Sequence, residues 1–95
     1  MTQHYLVGEL SLLLGQLQTV TTNEASAREV ARLRYEAETT PPPGLPAVTV
    51  RALVLTDGLC WDSLAHAETA TFSRQATLCA ELHEFGVCAG LLDDE

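Results

Sequence analysis

Between His4 and Val20 the apolar residues Leu6, Leu10, Leu13, Leu17 and Val20 recur at steps of four, three, four and three. That spacing keeps them on one face of a 3.6-residue helix and predicts a first helix over about 4–20. Val7, Leu12 and Leu14 carry apolar surface beyond the stripe. A helix greasy on more than one side is usually central in a bundle or shared with a partner. Leu6, Leu10, Leu13, Leu14 and Leu17 are therefore expected in the core or at an interface.

Polar residues then interrupt the pattern at Thr21, Thr22 and Asn23, and Thr21 followed three residues later by Glu24 matches a capping box. A second helix is predicted over about 24–38, with Ala27, Val30, Leu33 and Ala37 inward and Glu and Arg elsewhere. Glu24 and Arg28 stand i,i+4 in the favourable order, worth about 0.2–0.5 kcal/mol. Unlike the first helix, this one has a single apolar face.

Pro41, Pro42, Pro43 and Pro46, with Gly44 among them, make residues 40–46 a Pro-rich connector. Proline has no N–H to give a helix interior, so a turn is the expected form, with a polyproline ligand as the minor alternative. Pro46 suits the first turn of a third helix, where its N–H would go unused. Residues 47–55 fit a strand poorly, because Val48, Val50, Ala52 and Val54 would share one face while Leu53 and Leu55 stand with Thr49 and Arg51 on the other, a poor alternation. As a helix over about 47–68, Val50, Val54, Trp61 and Ala65 align on one strip, with Leu53, Cys60 and Leu64 beside it. Thr69–Thr71 are expected to break the chain before a fourth helix over about 72–85. There Phe72, Ala76, Cys79, Leu82 and Phe85 face inward and Gly86 caps the end, with Val87 packing back. Asp93, Asp94 and Glu95 read as an acidic tail.

Four helices in one domain spanning 1–95 predict an all-α fold. It is expected as a compact antiparallel four-helix bundle, or as two helical hairpins completed by dimerisation. The composition agrees: hydrophobic residues make up 46% of the chain but aromatics only 5%. Such a core is built from Leu, Val and Ala in close-packed helices.

Charge narrows the function. Thirteen acidic residues face five basic ones, all arginine, for a formal net charge of −8. Such a surface repels phosphate backbones and anionic lipid, so neither nucleic acid nor membrane is expected as a partner. The absence of lysine removes Schiff-base chemistry and the phosphate-loop lysine. The apolar run from Tyr5 to Leu17 lacks a preceding basic residue and a small-x-small cleavage site, is interrupted by Glu9, and is too short to span a bilayer. A cytoplasmic location is the expectation. Cys60, Cys79 and Cys88 are then expected as free thiols, since an odd set in a reducing compartment does not form a disulfide framework.

Three functional readings follow, in descending order. The first is a non-catalytic protein-interaction or adaptor module, working as a homodimer or with a protein partner. Its interface residues are Leu6, Leu10, Leu13, Leu14, Leu17 and Trp61. Trp61 is the best single anchor candidate, because tryptophan is enriched where few residues carry most of the binding energy; its ordinary alternative is to be the largest core residue. The second reading is a metal-binding or thiol redox-sensing protein. Cys79 and His83 stand four apart on one helix face, an acceptable spacing for two ligands of a transition metal such as zinc, with Glu84 and His66 as further ligands and Cys60 and Cys88 in reserve. No cofactor is expected under the first reading. Enzymatic triads find no support, since Ser63 and His66 lack a third orienting group and an oxyanion hole.

The third reading comes from a resemblance. Asp62-Ser63-Leu64 is similar to the tripeptide at which acyl carrier proteins attach phosphopantetheine, and Glu81-Leu82-His83-Glu84-Phe85-Gly86-Val87 resembles the acidic helix end that follows it in that family. The resemblance implies that Ser63 bears the prosthetic arm and that Asp62 and Leu64 help a transferase recognise it.

Overall fold

A computed structural model describes residues 2–92, so the acidic tail at 93–95 lies outside the described residues. The chain is all-α: α1 (Thr2–Val20), α2 (Glu24–Thr39), α3 (Leu45–Ala65) and α4 (Thr69–Cys88), with one 3₁₀ turn at Pro42–Gly44. No strand occurs among the described residues. Short connectors make two hairpins, α1/α2 and α3/α4. The hairpins stack so that α1 meets α4 and α2 meets α3, giving a four-helix bundle. Its shortest dimension, 16 Å, is that of two helix layers, since layers about 8–10 Å apart with Cα radii of about 2.3 Å come to roughly that thickness.

Helix α1 supplies more of the core's leucines than any other helix. Leu10, Leu13, Leu14 and Leu17 are all buried, the last two and Leu10 completely. They meet Val30, Leu33 and Ala37 of α2, as the periodicity predicts, and Leu45, Val48, Ala52, Leu59, Leu78 and Leu82 from the second hairpin. Of the leucines expected in the core or at an interface, Leu10, Leu13, Leu14 and Leu17 are in the core of the chain, and Leu6 is half-buried. Of the apolar excess of α1, Leu14 goes into the core, Val7 is half-buried against it and Leu12 stays exposed.

Several boundaries differ from expectation for identifiable reasons. Thr21 is not the cap of α2; its hydroxyl donates to the Leu17 carbonyl at 2.6 Å, closing α1 instead. Asn23 takes the cap, its Oδ1 accepting the Ser26 N–H at 3.0 Å. It stands immediately before the helix, where a short amide side chain reaches the third N–H. The proline cluster folds as a turn, with Pro46 in the first turn of α3. Helix α3 ends three residues early, because Ala67 adopts a left-handed φ of 58°. The Glu68 N–H then bonds the Ser63 carbonyl at 2.9 Å and the Ala67 N–H bonds Leu64 at 3.1 Å. That is the double closure of a Schellman end, with alanine where glycine is usual.

Helix α4 closes by the same device, and here the expected cap is corrected. Gly86 is buried inside the helix, and Gly90, at φ 76°, is the left-handed residue. Leu91 and Gly90 N–H groups bond the Gly86 and Val87 carbonyls at 2.8 and 3.1 Å. Gly86 instead serves the packing of the helix, because a Cβ there would collide with Leu92 and meet Thr49 Cγ2 at 3.2 Å. It lets the chain end fold back and α3 approach α4 closely.

Candidate functional site

The largest departure from the sequence pattern is the orientation of α3. Leu45, Thr49, Ala52, Thr56, Leu59 and Ser63, spaced four, three, four, three and four, form its inward stripe, and all are buried. Half of that stripe carries hydroxyls. Thr49 and Thr56 donate to the carbonyls of Leu45 and Ala52 at 2.9 and 2.6 Å. Ser63 donates to Gln75 Oε1 of α4 at 2.7 Å. Each hydroxyl is thereby satisfied without water, which a buried donor requires. These small side chains, opposite Gly86, bring α3 against α4 along most of their length.

The strip expected inside is therefore outside. Val50, Val54, Trp61 and Leu64 are 48, 68, 65 and 46% exposed, and Ala65 is exposed as well. This corrects the reading of Trp61 as the largest core residue and of Val50, Val54, Trp61 and Ala65 as a buried face. Helix α4 is turned in the same sense. Gln75, Leu78, Leu82 and Gly86 are its buried residues, while Phe72, Ala76, Cys79 and Phe85 are half-buried. Two apolar helix edges consequently flank an open groove of about 1090 Å³, on the side away from α1 and α2.

One wall is Leu53, Val54, Asp57, Cys60, Trp61 and Leu64 of α3; the other is Phe72, Ala76, Cys79, Ala80, His83, Glu84, Val87 and Cys88 of α4. The Ser63–Gln75 bond and the Thr49–Gly86 approach fix which residues stand level across the antiparallel pair. Leu64 lies level with Phe72, Trp61 with Gln75 and Ala76, Asp57 with Cys79, and Leu53 with His83 and Glu84. The groove is thus divided: an apolar half around Trp61, Leu64 and Phe72, and a half bearing the carboxylates Asp57 and Glu84. From Leu53 to Leu64 it is about 16 Å long, at 1.5 Å per helical residue. No arginine lines it. Arg28 pairs with Glu24, Arg51 bonds Glu36 of α2, and Arg34 reaches Ser11 and Glu38 on the opposite hairpin.

All three cysteines and His83 line this groove. Cys60 is buried, Cys79 half-buried and Cys88 exposed. Burial pushes the Cys60 thiol up, with Cys79 and Asp57 adding to the effect; burial, then Asp57, does the same for Cys79. Thiols held protonated are poor nucleophiles and poor metal ligands, the opposite of a poised redox sensor. Among the described residues, no group of three or more His, Cys, Asp and Glu side chains is placed to hold a metal ion. Cys79, His83 and Glu84 do share the groove, but His66 lies at the α3/α4 turn, outside it. There its Nδ1 sits 2.8 Å from the Asp62 carbonyl and 3.6 Å from the Asp62 carboxylate.

Ser63 is 4% exposed, inside α3 and bonded to Gln75. A phosphopantetheine serine must be reached by a transferase and then swing its arm freely, so this position does not suit a carrier. Asp62 and Leu64 are exposed on either side of it, which leaves the tripeptide without its central group.

Sequence reasoning misses the groove because it takes the α3 wall for core, although a signal is present. Val50, Val54, Asp57, Trp61 and Leu64 make a second stripe at helical spacing with an aspartate at its centre. A carboxylate in mid-stripe is the mark of a face that meets solvent. Among the described residues, no helix is long and apolar enough to cross a membrane. Compared with protein-family models, curated proteins and solved structures, the chain finds no significant match, so any functional reading stands on this groove alone.

Proposed function

We propose that the protein is a non-catalytic interaction module that receives a segment of another protein in the α3/α4 groove, with Trp61 as the principal anchor. The observation that carries this reading is the 65% exposure of the chain's one tryptophan on an apolar helix edge. Folding alone would favour burying it, because removing a large aromatic surface from water is among the larger gains available to a small domain. Contiguous exposed apolar surface rimmed by polar groups is the usual form of an interaction site. An elongated trough between two helices, about three turns long, matches the mode in which an amphipathic helix lays its apolar face into a groove.

Native mass spectrometry of the protein purified from its own source, beside its denatured mass, tests the reading. The expected result is an unmodified, metal-free chain in stoichiometric complex with a second protein, and loss of that complex in Trp61→Ala with folding unchanged. A metal-bearing or covalently modified monomer unaffected by Trp61→Ala would overturn it.

A further inference from the structure

We infer that the occupant of the groove is an amphipathic helix with its apolar anchor at one end and arginine or lysine one to two turns away on the same face. This rests on the groove being a docking surface, and adds the chemistry and polarity of what docks. The argument is charge complementarity along a divided trough. Trp61, Leu64 and Phe72 form one half, and Asp57 and Glu84 stand in the other, both exposed and, among the described residues, neither bonded to a basic side chain. Asp57 is about 6 Å along the axis from Trp61, one helical turn; Glu84, level with Leu53, is roughly 12–14 Å away, at 1.5 Å per residue. A partner helix with Leu or Phe over Trp61 would place residues four and eight positions on beside the two carboxylates.

A second copy of this chain fits less well. Two-fold pairing through this face would set the same patch against itself and gather Asp57 and Glu84 of both copies in one interface, with no arginine lining the groove to offset them. Like charges brought together at an interface oppose association. An anionic lipid surface is disfavoured by the same carboxylates and by the net charge of −8.

Trp61, as the chain's one tryptophan, is a built-in fluorescence reporter. The experiment titrates the full chain with three synthetic 16-residue amphipathic peptides sharing one apolar face: one with two arginines at the spacing above, one with glutamates there, and one with glutamines. The arginine peptide is expected to bind at least tenfold more tightly than the glutamate peptide at low salt, with the preference shrinking as salt is added. The exposed pair Asp57→Asn and Glu84→Gln should remove most of that preference, so that the arginine and glutamate peptides bind with similar affinity. Moving the arginines to the Trp61 end should weaken binding. Equal binding of all three peptides would overturn the inference and leave the groove as a docking site. Absence of binding by every peptide would overturn both. A dimer in sedimentation that Trp61→Ala dissolves would also overturn the inference, by naming a second copy as the occupant.

Discussion

Helices α1 and α3 are both rich in apolar residues, yet they dispose of them in opposite ways. In α1 most of the large hydrophobic side chains go in: Leu10, Leu14 and Leu17 are completely buried, and Tyr5 and Leu12 are the exposed exceptions among its described residues. In α3 the inward stripe is largely small or hydroxylated, while Val50, Val54, Trp61 and Leu64 remain in solvent. One helix commits its apolar surface to folding and the other keeps much of it for something else. A small domain has little surface to bury on folding, so leaving an aromatic and three aliphatic side chains outside is a sacrifice that a docking role explains.

The most severe way to break the contrast is a pair of truncations. Leu14→Ala, in the centre of α1, should cost about 3–5 kcal/mol, a large part of the roughly 5–15 kcal/mol typical of a domain. Val54→Ala, on the outer edge of α3, should change stability by less than about 0.5 kcal/mol. Urea unfolding of both variants measures the difference; comparable losses would mean that the α3 edge is packed in solution and that the groove is closed.

A smaller effect tests the polar interior of the second hairpin. Ser63→Ala leaves Gln75 Oε1 without its buried partner and should cost about 1–3 kcal/mol. Combining it with Gln75→Met removes both ends of the bond and offers an unbranched apolar chain of similar length. The double variant should recover most of the loss, with a coupling energy of about 1 kcal/mol or more in the double-mutant cycle. Additive losses would show that the Ser63–Gln75 bond contributes nothing to holding α3 on α4.

What is legible in the sequence follows the same division. Helices α1 and α2 are legible because their largest apolar residues mark the buried stripe, so periodicity and burial coincide at Leu10, Leu13, Leu17, Val30, Leu33 and Ala37. Helix α3 is legible as a helix but not in its rotation. Weighting positions by hydrophobicity selects Val50, Val54 and Trp61 over Thr49, Thr56 and Ser63, although both sets repeat at helical spacing. The deciding facts are non-local: Gly86 across the seam permits close approach, and Gln75 supplies the partner for Ser63. The cysteines are legible as candidates, and Cys60, Cys79, Cys88 and His83 do share the groove. Which of them are held protonated by burial depends on the same rotation.

The turn between α3 and α4 gives a gentler comparison, with its counterpart after α4. Gly90 holds the left-handed position there, while Ala67 holds it here. An L-residue in that region costs about 1–2 kcal/mol, whereas glycine enters it freely but loses more entropy on folding. Ala67→Gly should therefore stabilise the protein by about 1 kcal/mol in urea unfolding, and Gly90→Ala should destabilise it by a similar amount. A loss on Ala67→Gly would mean that the turn is not held in this geometry.

The smallest expected effect belongs to His66 in that same turn, and it concerns pH. The Asp62 carbonyl, and after it the Asp62 carboxylate, hold the His66 imidazolium above its ordinary 6.5, with Glu68 adding to them. A group whose pKa is raised by folding stabilises the native state when protonated. That contribution is complete below 6.5 and is lost as pH rises through the folded value. The sign also suits a cation at the C-terminus of α3, where helix carbonyls gather. Acidification separately relieves the self-repulsion of a chain carrying −8, which gives a trend of the same direction. Comparing pH profiles of stability for the wild type and His66→Gln separates the two, because only the imidazole contribution disappears with the substitution. The variant should follow a flatter profile that converges with the wild type at high pH. Two profiles that run parallel throughout would mean that Asp62 gives His66 no hold on the end of α3, and that the α3/α4 turn rests on its backbone closure alone.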